Sequence, residues 1–156
     1  MHGSSRGSMD LLPDFKDLLS ALAASSAEYL VVGGWAVGFY SEPRFTKDLD
    51  LLIGTDPKNL ARVVDALRRF GAPATILEQL KALGADEFLF LGAPPARIDL
   101  LRTIPGVDFQ AALSRATRVD WDGVPATILG LEDRIASKRA AGRERDLRDL
   151  KRLERA

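Results

Sequence analysis

Hydrophobic residues recur along this chain with two different periods, and the change of period separates predicted helices from predicted strands. Apolar side chains return every three or four residues over 11–22 and again over 60–70, which is the spacing of amphipathic helices. The run 29–32 is short, apolar and β-branched, as expected of a buried strand. Over 48–53 polar and apolar residues alternate, so this segment is predicted to be a strand with one carboxylate face.

Cap and turn residues mark the ends of several segments. Asp56-Pro57 combines an N-cap side chain with proline at the first helical position, and Gly71 is suited to end that helix. Asp122-Gly123 is a two-residue hairpin signal between predicted strands over 117–121 and 124–129.

The remaining segments complete a predicted order of helices and strands. Strands 87–91 and 96–101 are expected to form a hairpin. Further helices are predicted over 35–40, 76–83, 108–115 and from Ile135 to the C-terminus, with a break near Gly142. This order indicates an α/β (α+β) protein, a mixed β-sheet with helices packed on it and helices at the C-terminus.

Length and composition favour a single globular domain. The chain has 156 residues, of which 46% are hydrophobic and 28% charged, and it has no cysteine, so disulfides and thiolate metal sites are excluded. We interpret residues 1–8 as an expression-tag remnant and 9–156 as one domain. The only histidine, His2, lies in that remnant, so catalysis is expected to depend on carboxylates. No apolar run approaches a membrane span, and a cytoplasmic location is expected.

Charge is balanced overall but not along the chain. Lys and Arg together number 22, as do Asp and Glu. Segment 131–156 nevertheless holds nine basic and six acidic residues, a surplus of three positive charges that could face an anionic partner.

Three aspartates form the candidate chemical centre. Asp48 and Asp50 are two residues apart on one strand, so their side chains project in parallel and could share a divalent cation. The pair alone does not distinguish a metal site from a solvated strand surface. Asp99 is a further carboxylate within an apolar strand, where it needs a partner such as a metal ion. It is a third candidate ligand.

Two glycines lie between the first predicted strand and the next predicted helix. Gly33-Gly34 could present free backbone N–H groups to phosphate oxygens, or could form a plain tight turn.

The order and spacing of these motifs resemble the nucleotidyltransferase fold, with its Gly-Gly or Gly-Ser turn, Asp-x-Asp pair and third strand carboxylate. The segments 32–37 and 43–50 are similar to those of small prokaryotic (minimal) nucleotidyltransferases related to abortive-infection and toxin-antitoxin proteins. The segments 134–138 and 141–149 resemble the closing helices of that group.

The resemblance implies a role for each motif. Asp48 and Asp50 would bind two Mg²⁺ ions, or Mn²⁺, together with a nucleoside triphosphate (NTP), and Asp99 would bind the catalytic ion beside the acceptor. Gly33 and Gly34 would cradle the β and γ phosphates. Gly34 stands where many members carry serine, so backbone donors alone would serve there.

Nearby polar and aromatic residues have two interpretations each. Arg44 and Lys47 could bind phosphates or be solvated loop charges, and Thr46 could hold the loop before the aspartates. Trp35 and Tyr40 could stack on a base, although core packing is favoured.

The basic C-terminal helices have two interpretations as well. Lys138 and Arg143 could reach the triphosphate or an RNA acceptor, or could form a solvated face. Pairing within the helix is expected for the later charges, namely Arg145, Arg148 and Arg155 with Asp146, Asp149 and Glu154.

The predicted activity is Mg²⁺-dependent transfer of a nucleoside monophosphate to a hydroxyl group. The favoured acceptors are a tRNA 3′ end or a protein side chain, in keeping with the toxin resemblance, and a small molecule of aminoglycoside type is an alternative. A catalytically silent nucleotide- or partner-binding module is the rival from another class. A homodimer or a cognate antitoxin is the expected protein partner, and no membrane is involved.

Overall fold

The structure, a computed structural model, describes residues 12–34, 48–93 and 96–154. Six helices and six strands lie in this part of the chain. The helices are α1 (Pro13–Ala24), α2 (Pro57–Phe70), α3 (Ala74–Lys81), α4 (Phe109–Ser114), α5 (Leu131–Ala141) and α6 (Glu144–Glu154). The strands are β1 (Tyr29–Val32), β2 (Asp48–Ile53), β3 (Phe88–Leu91), β4 (Arg97–Leu101), β5 (Thr117–Trp121) and β6 (Val124–Ile128).

The strands form one mixed six-stranded sheet in the order β3-β4-β2-β1-β6-β5. The pairs β2–β4 and β1–β6 are parallel, whereas β1–β2, β3–β4 and β5–β6 are antiparallel. The predicted mixed sheet is thereby confirmed. Both predicted hairpins, β3–β4 and β5–β6, are also confirmed.

The two faces of the sheet are covered unequally. One face carries the larger core, in which Leu49, Leu51 and Ile53 of β2 pack with α1 and α2. The opposite face carries a small cluster that includes Leu52 of β2 and packs against α4. Since side chains alternate along a strand, Asp48 and Asp50 lie on this second face. The carboxylate face is therefore the less covered one.

Local signals act as predicted at both ends of α2. The Asp56 side chain accepts a hydrogen bond from the Asn59 backbone N–H, and Pro57 occupies the first turn. Gly71 closes the helix with φ of 100°, a left-handed conformation that glycine adopts without strain. In the β5–β6 turn, Asp122 and Gly123 both have positive φ, as a type I′ turn requires.

Two helix boundaries differ from the sequence prediction. The closing helix begins at Leu131 rather than Ile135, and Glu132 and Asp133 in its first turn interact favourably with the helix dipole. Both carboxylate oxygens of Asp133 also accept hydrogen bonds from the Arg115 guanidinium, which fixes the first turn of the helix. Helix α3 covers 74–81 rather than 76–83, directly after Pro73. The predicted break at Gly142 is confirmed, with φ of 65°.

The predicted helix over 35–40 lies outside the described residues, as does the segment 1–8. Among the helices of the described ranges, none combines the length and apolar character needed to cross a membrane.

Candidate active site

The three predicted aspartates lie on adjacent parallel strands of the less covered sheet face. In the register of β2 and β4, Asp50 is level with Asp99 and Asp48 is level with Arg97. Residues that are level in neighbouring strands point to the same side of the sheet, so the carboxylates of Asp50 and Asp99 are neighbours. The structure therefore brings together Asp48, Asp50 and Asp99.

Asp50 is the electrostatic centre of this group. Burial, the charge of Asp99, a hydrogen bond with that side chain and the charge of Asp48 raise the pKa of Asp50 to about 7. The positive charge of Arg134 acts in the opposite direction. Several carboxylates in a partly buried site repel one another, and a cation placed between them relieves the repulsion.

Arg97 already supplies part of that positive charge. Its Nε atom donates a 2.9 Å hydrogen bond to Oδ1 of Asp99. Within the described ranges, no three acidic or histidine side chains are arranged so that they could hold a metal ion as they stand. Carboxylate oxygens are nevertheless the ligands that Mg²⁺ and Mn²⁺ prefer, so the donor set fits such an ion once Asp99 is released from Arg97.

Gly33 lies directly against Asp50. Its φ is +70°, and a Cβ atom added there would lie 2.2 Å from Oδ2 of Asp50. No other residue type fits this position without displacing the carboxylate. The close approach to Asp50 gives Gly33 a structural purpose in addition to the predicted phosphate contact.

Gly33→Ala is expected to weaken the binding of Mn²⁺ and NTP by about 10- to 100-fold, because the new methyl group displaces a proposed ligand. Gly71→Ala is the matched control, since it imposes a similar backbone strain but has nothing within 4 Å of the added Cβ. Each alanine costs about 1–2 kcal/mol through its positive φ. Calorimetric titration and thermal melting separate the two effects. Equal affinities in the two variants would contradict the assignment.

A cleft of about 460 Å³ opens above the carboxylates. Its lining includes Gly33, Gly34, the three aspartates and residues of α5 and of the segment that follows it. The helical part of the lining contributes the cations Arg134, Lys138 and Arg143, together with Asp146. A cleft lined by both carboxylates and cations suits a ligand that carries both metal ions and phosphates.

Lys138 is buried between two aspartates. Its side chain is 4% exposed, and its Nζ atom lies 2.9 Å from a carboxylate oxygen of Asp146 and 2.9 Å from one of Asp149. The alternative of a solvated face is therefore wrong for Lys138. The carboxylates of Asp146 and Asp149 on α6 balance its charge. Its contact with a triphosphate stays a prediction.

Three acidic residues of α6 make ion pairs across the helix junction. Asp146 and Asp149 contact Lys138, and Glu154 contacts Arg139. These contacts arise because the turn at Gly142 folds α6 back onto α5 and places the three acidic residues beside the bases of that helix. The predicted pairing within the helix involves Arg145 and Arg155, whose side chains lie outside the described part of the chain, and stays a prediction.

The folding stability of the protein depends on pH through Asp146. Burial opposes its ionisation, but hydrogen bonds from Arg143 and Lys138 outweigh that cost and hold the pKa of Asp146 below its usual 3.8. The stabilisation is present above about pH 4 and is lost as the pH falls further, because the unfolded chain then binds the proton more readily.

The urea midpoint of the wild-type protein is therefore expected to drop as the pH is lowered below about 4. Asp146→Asn lacks this titrating group, so the stability difference between wild type and variant should shrink over the same range. A constant difference from neutral pH to about pH 3 would contradict the ion pairing.

Several predicted site residues lie outside the described ranges. They are Arg44, Thr46 and Lys47, together with Trp35 and Tyr40. Two cations that the sequence prediction gave no role, Arg97 and Arg134, are now part of the site. A signal for Arg97 was present, since it stands two residues before Asp99 and shares its strand face.

Comparisons with known proteins bear on the fold. No family model matches the sequence, and no curated protein matches it. Among solved structures, an antigenic nucleotidyltransferase-like protein from Paracoccidioides brasiliensis is similar, with a TM-score of 0.53 and 19% identity. The match covers 92% of this chain and 77% of the other. At this identity the likeness shows the fold alone, so the chain has the predicted nucleotidyltransferase-like architecture.

Proposed function

We propose that this protein is a nucleotidyltransferase that moves a nucleoside monophosphate from an NTP to a hydroxyl acceptor. The observation that carries the proposal is the level placement of Asp50 and Asp99 on parallel strands, with Gly33 directly beside Asp50, in a cleft that cations also line. Neighbouring carboxylates in such a cleft suit the polyphosphate of an NTP and its metal ions.

Each carboxylate has a distinct part in this proposal. Asp48 and Asp50 hold the metal–triphosphate complex, and Asp99 orients the acceptor hydroxyl. Two Mg²⁺ ions, when bound, would supply positive charge that offsets the charge developing on the phosphoryl oxygens. Gly33 and Gly34 keep the adjoining backbone close enough for its N–H groups to contact phosphate oxygens.

The transfer balances as a single displacement. The acceptor oxygen forms a bond to the α-phosphorus while the bond from that phosphorus to the bridging oxygen breaks, and pyrophosphate leaves. The acceptor proton passes to the carboxylate of Asp99. Arg134 and Arg143 also line the cleft, and their positive charge would help to offset the negative charge of the departing group.

The experiment that tests the proposal uses each of the four α-labelled NTPs with Mg²⁺ and either total RNA, lysate protein or a small-molecule fraction. Label is expected on one class of acceptor and is expected to disappear when Mg²⁺ is chelated. Calorimetry with a nonhydrolysable NTP is run alongside. Binding without label in any fraction would favour the silent module.

The silent module is the second candidate, and one observation favours it. Arg97 engages Asp99 and thereby neutralises one of the proposed ligands. A binding module would keep this pair closed when NTP and Mg²⁺ are present, whereas an enzyme must open it. Chemical-shift changes at the Arg97 guanidinium on adding both ligands distinguish the two.

The toxin assignment belongs to the proposal as well and rests on the motif resemblance. Induced expression in a bacterial host should arrest growth if the protein is a toxin component acting in the cytoplasm. Asp50→Asn should relieve the arrest at equal protein levels. The labelling experiment then identifies the acceptor as a tRNA 3′ end, a protein hydroxyl or an aminoglycoside.

A further inference from the structure

Two phenylalanines are left exposed on the outermost strand of the sheet. Phe88 and Phe90 of β3 are 52% and 51% exposed, while Leu89 and Leu91 between and after them are buried. In the described part of the chain, Leu147 is the other large hydrophobic residue with comparable exposure. Exposed aromatic residues on an edge strand favour aggregation, so their presence calls for a function.

These rings share the sheet face of the carboxylates. Phe90 is level with Asp99 in the β3–β4 register, and Asp99 is level with Asp50 in the β4–β2 register. Phe90, Asp99 and Asp50 therefore form one row across three strands. Neighbouring strands lie about 4.8 Å apart, so the row from the ring to Asp50 spans roughly 10 Å.

Arg97 joins the aromatic pair to the active-site carboxylates. Its guanidinium carbon lies 4.4 Å above the centre of the Phe90 ring, and its Nε atom donates to Asp99. The two phenyl rings have centroids 6.5 Å apart, inclined by 37°. Phe88, Phe90 and Arg97 thus form a continuous surface, here called the aromatic platform, that ends at Asp99.

We propose that the aromatic platform binds unpaired nucleotides at the end of a nucleic-acid strand and delivers the terminal hydroxyl to Asp99. This inference rests on the proposed transfer reaction and specifies its acceptor as a single-stranded RNA end. Flat bases stack on phenyl rings whatever their sequence, and the arginine beside the rings can contact a backbone phosphate.

The chemistry of the platform favours this occupant over a second copy of the chain or a peptide. Two copies meeting through these rings would bring two Arg97–Asp99 ion pairs into a desolvated contact, which is costly. A peptide added to the edge of β3 would use the hydrogen-bonding edge of the strand, whereas the rings project from its face. Only a ligand stacked on the face extends along the row to Asp99.

The test measures binding of a fluorescent single-stranded RNA of about eight nucleotides by anisotropy, without NTP or Mg²⁺. Phe88→Ala/Phe90→Ala is expected to weaken binding by about 10- to 100-fold, because each lost stacking contact contributes roughly a factor of ten. Phe88→Tyr/Phe90→Tyr should retain it. Leu147→Ala is the matched control, an exposed apolar residue on α6 that is not part of the platform, and should leave affinity unchanged.

Outcomes other than the expected one overturn the proposal in distinct ways. Unchanged RNA affinity in the double alanine variant, or no binding of RNA by the wild type, removes the platform as an acceptor site. A fall in NTP affinity with RNA affinity intact would assign the rings to the donor base. A wild-type dimer that the double variant converts to monomers, again with RNA affinity intact, would assign them to self-association.

The measurement is independent of the transfer assay. RNA binding that depends on the rings, with no label transferred under any condition, would leave the platform standing and refute the proposed enzyme. Label transferred to RNA at equal rates by the wild type and the double alanine variant would refute the platform and leave the proposed enzyme standing. Thermal melts of both double variants verify that the sheet is intact.

Discussion

Asp50→Asn is expected to lower the rate of nucleotide transfer by about 10²- to 10⁴-fold. The substitution keeps the size of the side chain and one oxygen, but it removes the charge at the centre of the carboxylate group. Asp48 and Asp99 alone would hold the proposed cations less well, so the transition state is expected to lose several kcal/mol of stabilisation. The rate is measured as label transferred from α-labelled NTP to the acceptor found by the labelling experiment.

Two comparison variants make this result specific. Asp99→Asn should lower the rate as severely by a different route, since the acceptor then loses its anchor. Asp17→Asn removes the same charge from an exposed position on α1 and should leave the rate unchanged. Transfer by Asp50→Asn at the wild-type rate would show that the carboxylates are not the catalytic centre.

Asp50→Asn is also expected to fold at least as stably as the wild type in the absence of metal. Burial raises the pKa of Asp50 and thus acts against its ionisation, and the charges of Asp99 and Asp48 add to the cost. A neutral amide avoids that repulsion. Loss of activity together with an unchanged or higher melting temperature excludes unfolding as the cause.

Lys138→Met is expected to lower the free energy of unfolding by about 3–5 kcal/mol. The lysine is enclosed with Asp146 and Asp149, and all three residues are almost fully buried. Methionine fills much of the space, but it leaves two buried carboxylates beside each other without the cation that both contact. Urea unfolding followed by circular dichroism measures the loss.

Arg139→Met is the matched control for Lys138→Met. It lies on the same helix and contacts Glu154 across the same junction, but its side chain is 63% exposed, so its loss should cost less than about 1 kcal/mol. Adding Asp146→Asn and Asp149→Asn to Lys138→Met should recover much of the stability, because no buried charge is then left uncompensated. Equal costs for Lys138→Met and Arg139→Met would contradict a buried ionic triad.

The local features of the fold were predictable because their causes are local. A period of two along 48–53 places carboxylates on one face of β2 whatever the rest of the chain does. Asp56 caps α2 through a backbone N–H three residues away, and Gly71 adopts a conformation that other residues avoid. The same reasoning placed Asp48 and Asp50 as a pair.

The helix boundaries of α3 and α5 were less predictable. Periodicity marks the middle of a helix, whereas the start of the first turn also depends on the partner that its charged side chains find. For α5 that partner is Arg115, eighteen residues before Asp133, and its contact leaves no local sequence signal. The start at Leu131 therefore follows from tertiary packing.

The sequence by itself predicted the order of the described elements, the mixed sheet and the carboxylate face of β2, because these follow from periods and turns along the chain. Tertiary structure decided which side chains of other elements meet them. Strand register put Asp50 and Phe90 level with Asp99, and Arg97 level with Asp48. Helix packing enclosed Lys138 between two aspartates of α6. Side chains on different elements acquire neighbours only when the sheet and helices assemble, and burial then makes each charge depend on them.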